Sequence, residues 1–239
     1  MTNGIILKLH AMTDGTFIQS HYKIFSSIIL EIEKTNPLLS AEIHSKQHIV
    51  PFSYSISNLR YEKGDVVYLK LSTLQIHVQD ELYDIFQNRD YIDLCGNRFY
   101  VDTVDYTQLE IRKNENFKVT NFVSCFYIPN TNIIADTTQS IKVGMITNLY
   151  SIYCKINNYP YIQSTVDSIV AVTHLKTSTV KYERYGENRG HINLMIYRDF
   201  NILEFDIKSK QIRDKMLAIM LTYGIGNSIK LGFGNVKQK

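Results

Sequence analysis

The spacing of hydrophobic residues changes several times along the chain, and each change marks a predicted element. Residues 4–10 form an apolar, β-prone opening. Between Thr16 and Lys34, the residues Phe17, Ile24, Phe25, Ile28 and Ile32 recur at helical spacing, so one face of a helix is buried. Asn36 followed by Pro37 reads as an N-cap and first-turn pair. It opens a shorter helix that carries Leu39, Ile43 and His44 and ends near Lys46. Strands are predicted over 51–56 and 65–71, the second alternating through Val67, Leu69 and Leu71. Val78, Leu82, Ile85 and Phe86 then supply the stripe of another helix. After it a hairpin joins 91–94 to 98–104 through Cys95-Gly96-Asn97, where glycine supplies tolerance of positive φ.

The second half repeats this order loosely. The pattern predicts a strand over 117–128, ended by Pro129-Asn130, and a helix carrying Ile141, Met145, Leu149, Tyr153 and Ile156. A long hairpin follows, 166–185 against 191–198, with Gly186 and Gly190 bracketing its turn. Ile212, Met216, Ile219 and Met220 face inward from a last helix over 208–223, and a glycine-rich loop leads to a short strand ending near Val236. Two successive β-α-β-β-α-β patterns imply an α+β chain of two tandem ferredoxin-like (RRM-like) domains, each an antiparallel sheet backed by two helices. The expected domains are 1–114 and 115–239.

Composition narrows the setting. Hydrophobic residues make up 44% and charged residues 21%, the balance of an ordinary globular protein. Residues 1–12 have no basic region before their apolar run, which Lys8 and His10 interrupt, so neither a secretory signal nor a membrane span is expected. Cys95, Cys125 and Cys154 lie far apart with no CxxC spacing, which argues against a zinc ribbon or a disulfide framework. A reducing, cytoplasmic setting is the expectation. Residues 1–115 carry 11 Lys/Arg against 15 Asp/Glu, net −4, and residues 116–239 carry 15 against 8, net +7. That asymmetry fits a second half that meets a polyanion, although an ordinary solvated surface would read the same way.

The segment Gly224-Ile225-Gly226-Asn227-Ser228-Ile229-Lys230-Leu231-Gly232-Phe233-Gly234 holds four of the chain's 11 glycines. A dinucleotide fingerprint fails because position 229 is Ile and no helix and second strand fit after it. A P-loop fails for want of a Gly-Lys-Ser/Thr ending. Two readings remain: backbone amides that cradle a phosphodiester backbone with Lys230 adding charge, or a tight turn between helix and strand. The hairpin is similarly open. Lys181, Arg184, Arg189 and Arg198, interleaved with Tyr182, Tyr185 and Tyr197, suit single-stranded RNA, and they equally suit a charged outer face. Asp80, Glu81 and Asp84 read as a solvated helix face, and no His or Cys pair completes a metal site.

The pattern GxGx5GFG before a short apolar strand resembles the CRISPR repeat-processing endoribonucleases of the repeat-associated mysterious protein superfamily. Asn36-Pro37, Ile43-His44, Pro51-Phe52-Ser53-Tyr54-Ser55 and Phe122-Val123-Ser124 are similar to that family in order and spacing, so the likeness spans the chain. The resemblance implies a metal-independent endoribonuclease without cofactor, cutting precursor RNA within repeats. His44 would be its principal catalytic residue, and Gly224, Gly226, Asn227, Ser228, Lys230, Gly232 and Gly234, with Lys181, Arg184 and Arg189, would hold RNA in a groove between the domains. Ile29 stands where some members carry tyrosine, and Val50 where some carry lysine. Lys46, His48 and Tyr54 (or Tyr22) are the candidates to assist His44. The resemblance also admits effector-complex subunits and a homodimer as partners. Two rival classes are a non-catalytic RNA-binding subunit of a CRISPR effector complex and a ferredoxin-like metabolite-binding protein.

Overall fold

The computed structural model describes residues 2–17, 23–44, 52–109, 117–119, 123–129, 131–178, 180–185, 194–198, 200–226 and 236–238. These divide into two compact units that meet between residues 109 and 117 of the sequence. The first contains β1 (Thr2–Ala11), β2 (Gly15–Thr16), α1 (Ile24–Glu33), α2 (Pro37–His44), β3 (Ser53–Ile56), β4 (Arg60–Tyr61), β5 (Val66–Thr73), α3 (Ile76–Gln87), β6 (Tyr91–Leu94) and β7 (Asn97–Leu109). Its main sheet is antiparallel, in the order β3-β5-β1-β7-β6. Removing the edge strand β6 leaves the ferredoxin-like order, with the last and first strands side by side.

Period-two alternation explains why β1 sits in the middle. Ile5, Leu7 and Leu9 pair with Leu71, Leu69 and Val67 of β5, and all six are fully buried. On the other face Lys8 lies opposite Tyr68, and His10 opposite Tyr100. Helix α1 covers the apolar face with Ile24, Ile28 and Ile32, and α3 with Val78, Leu82, Ile85 and Phe86. Polar ties fix both helices. The Gln79 side-chain amide donates to the Gly4 carbonyl (2.6 Å), and buried Glu31 accepts from Lys34 (2.5 Å) and from the Asp93 backbone N–H (3.1 Å). Asn36 caps α2 as its sequence predicts, its side chain accepting from the Leu39 N–H at 3.0 Å.

The helix predicted from Thr16 starts at Ile24 instead. Thr16 belongs to β2, paired with Arg60 of β4, and Phe17 reaches the core from outside the helix. The β6–β7 turn needs two residues, Cys95 (φ 55°) and Gly96 (φ 82°), the positive pair that a tight hairpin requires.

The second unit contains β8 (Phe117–Val119), β9 (Val123–Ser124), α4 (Thr138–Ile156), α5 (Gln163–Val172), β10 (Thr173–Thr177), β11 (Lys181–Tyr185), β12 (Leu194–Arg198), β13 (Ile202–Ile207), α6 (Lys210–Tyr223) and β14 (Val236–Gln238). One antiparallel sheet runs β10-β13-β8-β14, the ferredoxin-like order again, and a second runs β11-β12-β9. Thr137 begins α4 with a reciprocal capping box, its hydroxyl accepting from the Ser140 N–H (3.1 Å) and its own N–H donating to the Ser140 hydroxyl (3.1 Å).

Three expectations for this half are corrected. The strand predicted over 117–128 is two short strands that serve different sheets. Residues 166–172, predicted as the start of a hairpin arm, belong to helix α5. Their β-branched content favours a strand, but the residues that bury are Val166 and Ile169, one helical turn apart. Strand β13 went unpredicted. Its inward residues Ile202, Phe205 and Ile207 break strict alternation, because the pairing with β10 shifts register near Thr177. The α+β class and the tandem ferredoxin-like architecture are as expected.

Candidate nucleic-acid interface

Helix α6 delivers the chain to the glycine-rich segment. Its final turn is buried through Tyr223, and the Gly224 N–H closes it onto the Met220 carbonyl at 2.9 Å. Gly224 has φ 81° and ψ −162°, a region that side chains with a Cβ essentially do not enter. Ile225 is fully buried, anchoring the segment between two glycines. Gly226 has φ 102°, and a Cβ there would lie 2.9 Å from both the carbonyl oxygen and the hydroxyl of Ser124 on β9. The start of the glycine segment is therefore seated on β9. The turn reading accounts for Gly224 and Gly226 by backbone requirement alone. Asn227, Ser228, Lys230, Gly232 and Gly234 lie outside the described residues.

Strand β9 belongs to the same three-stranded sheet as the hairpin, since Ser124 and Val123 pair with Ile196 and Tyr197 of β12. Tyr197 locks the arrangement. Its hydroxyl donates to the Ala135 carbonyl (2.6 Å) and accepts from the Phe126 N–H (3.1 Å), and burial raises its pKa above the ordinary phenol value. The ring is 1% exposed, so it packs the core and offers no face to a base. Tyr182, opposite it across the ladder, is 49% exposed. Lys181 and Arg184 are both exposed on β11, three residues apart and so on opposite faces of the strand. Arg189 lies outside the described residues.

His44 is the last residue of α2. Lys46, His48 and Tyr22 lie outside the described residues. Tyr54 is 2% exposed in the core of the first unit, its ring stacked near Phe25 with centroids 6.3 Å apart.

The sequence reading missed one surface feature. On the sheet face of the first unit away from its helices, Tyr91, Tyr100 and His10 stand side by side across β6, β7 and β1, with ring centroids 5.7 and 6.3 Å apart. Lys8 and His10 both reach Asp102, at 2.7 and 3.2 Å. These bonds, the one from Lys8 foremost, hold the Asp102 carboxyl below its usual range. The signal was present as alternation: Lys8 and His10 are the polar positions that interrupt the apolar opening. Among the described residues no group of three or more His, Cys, Asp or Glu side chains is placed to hold a metal, and no helix is long and apolar enough to cross a membrane. Asp80 and Asp84 instead accept local bonds from Tyr106 and Gln87.

Two tandem units of the same strand order, with a hairpin inserted in the second and a glycine segment closing its last helix, define a double ferredoxin-like chain. Its fold is the one seen in Cas6 structures. A Thermus thermophilus Cas6 product complex superposes with a TM-score of 0.67 at 12% identity, covering 99% of this chain and 98% of that one. A structure described as CRISPR associated protein Cas6 gives 0.64 at 15% identity over the full length of both. A Cas6-related protein from Pyrococcus furiosus gives 0.64 at 13% identity, over 99% and 98%. No family model and no curated protein matches the sequence.

Proposed function

We propose that this chain is a Cas6-type endoribonuclease that binds CRISPR repeat RNA and cuts it once without a metal ion. The observation that carries this reading is the full-length agreement of fold with a Cas6 product complex. RNA brings its own nucleophile. The 2′-hydroxyl, losing its proton, attacks the adjacent phosphorus, the bond to the 5′-oxygen breaks, and that oxygen takes up a proton. The products are a 2′,3′-cyclic phosphate and a 5′-hydroxyl. What the protein must supply is a base, an acid and charge stabilisation, and an imidazole titrating near neutrality serves as either of the first two.

His44 is the proposed catalytic residue, with Lys46 and His48 of the following segment as assistants. Tyr54 is left out because its ring belongs to the core. The glycine segment with Lys230 holds the phosphodiester backbone, and Lys181, Arg184 and Arg189 of the inserted hairpin hold the flanking strand. The test is incubation with repeat RNA in the presence of EDTA, with product ends analysed. Cleavage to a cyclic phosphate is expected from the wild type, and none from His44→Ala. Loss of cleavage under chelation would overturn the metal-free mechanism, and full activity in His44→Ala would remove His44 from its role.

A second reading keeps the RNA and drops the cleavage. Ile29 and Val50 stand where assisting side chains occur in the family resembled, which favours a non-catalytic RNA-binding subunit. Tight repeat binding with no product in the same assay would select it.

A further inference from the structure

The second unit carries four tyrosines in an unbroken row at the end of α4. Tyr161 packs on Tyr150 (centroids 5.6 Å), Tyr150 on Tyr153 (6.2 Å) and Tyr153 on Tyr159 (5.9 Å). From α6, Lys215 places its Nζ 5.2 Å from the centre of the Tyr153 ring and donates to that tyrosine's hydroxyl at 3.1 Å. Tyr150 is buried and anchors the row, whereas Tyr159 and Tyr161 are 57% and 43% exposed.

The connection between α4 and α5 that bears the two exposed rings is held in place. The Tyr159 N–H donates to the Cys154 carbonyl (2.7 Å), the Cys154 thiol to the Pro160 carbonyl (3.6 Å) and the Asn157 side chain to the Tyr153 carbonyl (2.8 Å). Asn158 takes φ 53° to make the bend. Rings held this way lose little freedom when a ligand stacks on them.

Charge indicates the ligand. Between Asp136 and Asp167 the sequence has two charged side chains, Lys142 and Lys155, and no carboxylate. No carboxylate among the described residues forms an ion pair with Lys155 or Lys215. Aromatic faces beside a cation are what unstacked bases and their phosphates require.

We infer that this row is a second RNA contact, on which bases of a single strand stack against Tyr159 and Tyr161 while Lys215 meets the phosphate. The inference rests on the RNA-binding reading above and adds a place on the helices of the second unit. Recognition here is by stacking, so it is tolerant of sequence.

The test is fluorescence anisotropy of the full chain with labelled oligoadenylate over a series of salt concentrations. Tyr159→Ala/Tyr161→Ala should bind roughly tenfold or more weakly, as expected when bases lose their stacking partners. Tyr159→Phe/Tyr161→Phe should bind as the wild type, because the ring faces remain. Lys215→Ala should reduce the slope of log affinity against log salt by about 0.7, the share of one single-strand phosphate contact. A double alanine variant that melts as the wild type and binds equally well overturns the inference and leaves the RNA reading standing. Unchanged RNA affinity together with conversion of a dimer to a monomer also overturns it, in favour of a second copy of the chain. Absence of any salt-sensitive binding by the wild type overturns both.

Discussion

Replacing Gly226 by alanine tests whether the glycine segment is seated on β9. The residue has φ 102°, beyond the left-handed minimum near +57°, so holding alanine there costs about 1–3 kcal/mol. The added methyl would also sit 2.9 Å from two oxygen atoms of Ser124 and 3.2 Å from a Val123 methyl. Ser124 is on a strand paired to β12 and its carbonyl is backbone, so it yields poorly, and overpacking of this kind costs about 1–3 kcal/mol more. The total expected is about 2–6 kcal/mol, a large part of the stability of a unit of this size.

Gly96→Ala is the internal control. Gly96 has a comparable φ of 82°, but a Cβ there would meet nothing within 4 Å, so only the backbone part is lost, about 1–3 kcal/mol. Native-state hydrogen exchange reads the two units separately, as a single melting curve of a two-unit chain does not. In Gly226→Ala, amides of β9 and of residues 125–126 should lose protection along with the end of α6. In Gly96→Ala the loss should stay within the first unit and be smaller. Equal costs for the two variants, or unchanged protection over β9, would show that the close approach to Ser124 contributes nothing and that the seat does not exist.

Three further outcomes follow from the same unit and one from the first. Tyr197→Phe strands the Phe126 N–H and the Ala135 carbonyl in the core and should lower stability by about 2–4 kcal/mol, measured by urea denaturation. Burial pushes the Cys125 thiol up to about 12 from 9.0, so in the native chain it should resist iodoacetamide at pH 8 and react only on unfolding. That shift also sets a pH dependence. The unfolded thiol ionises above 9.0 while the folded one keeps its proton, so the stability it confers is complete below pH 9 and lost as pH rises towards about 12. The slope in denaturation experiments should be at most about 1.4 kcal/mol per pH unit, and Cys125→Ala should flatten it. Asn36→Ala should cost about 1 kcal/mol by removing the cap of α2, detectable as increased exchange of the amides of 37–40.

The first unit was largely legible because its elements obey one period each. The alternation of β1 and β5, and the i, i+4 stripe of α1, leave a single face apolar, and the structure buries that face. The second unit was harder for a physical reason. Helix α4 buries residues on several sides, including Ile141, Ile146 and Ile152, and α5 buries Val166 and Ile169 with β-branched residues between and beside them, so local propensity and tertiary packing disagree. The candidate site was legible only where glycine or proline marks backbone geometry, as at Asn36-Pro37 and Gly224. Surface chemistry built from residues far apart in sequence, such as Tyr91, Tyr100 and His10, showed only as polar positions breaking the apolar opening, with nothing to mark their cross-strand partners.

The shared strand order clarifies where the units differ. In each, the first crossover of the ferredoxin-like pattern holds two helices, α1–α2 and α4–α5, where the simplest version has one. The core constrains the inward faces of those helices but not their ends and connections, which is where the two units differ in chemistry. In the first, the second helix ends on His44; in the second, α5 ends on Val172, and the exposed rings Tyr159 and Tyr161 lie on the connection between α4 and α5. The proposed cleavage residue and the proposed stacking rings therefore lie at different points of the two crossovers, His44 at the end of the second helix and Tyr159 and Tyr161 between the helices. The two functions should then separate genetically: His44→Ala should lose cleavage with oligoadenylate binding to the tyrosine row intact. Loss of both in that single variant would mean the two positions are not independent.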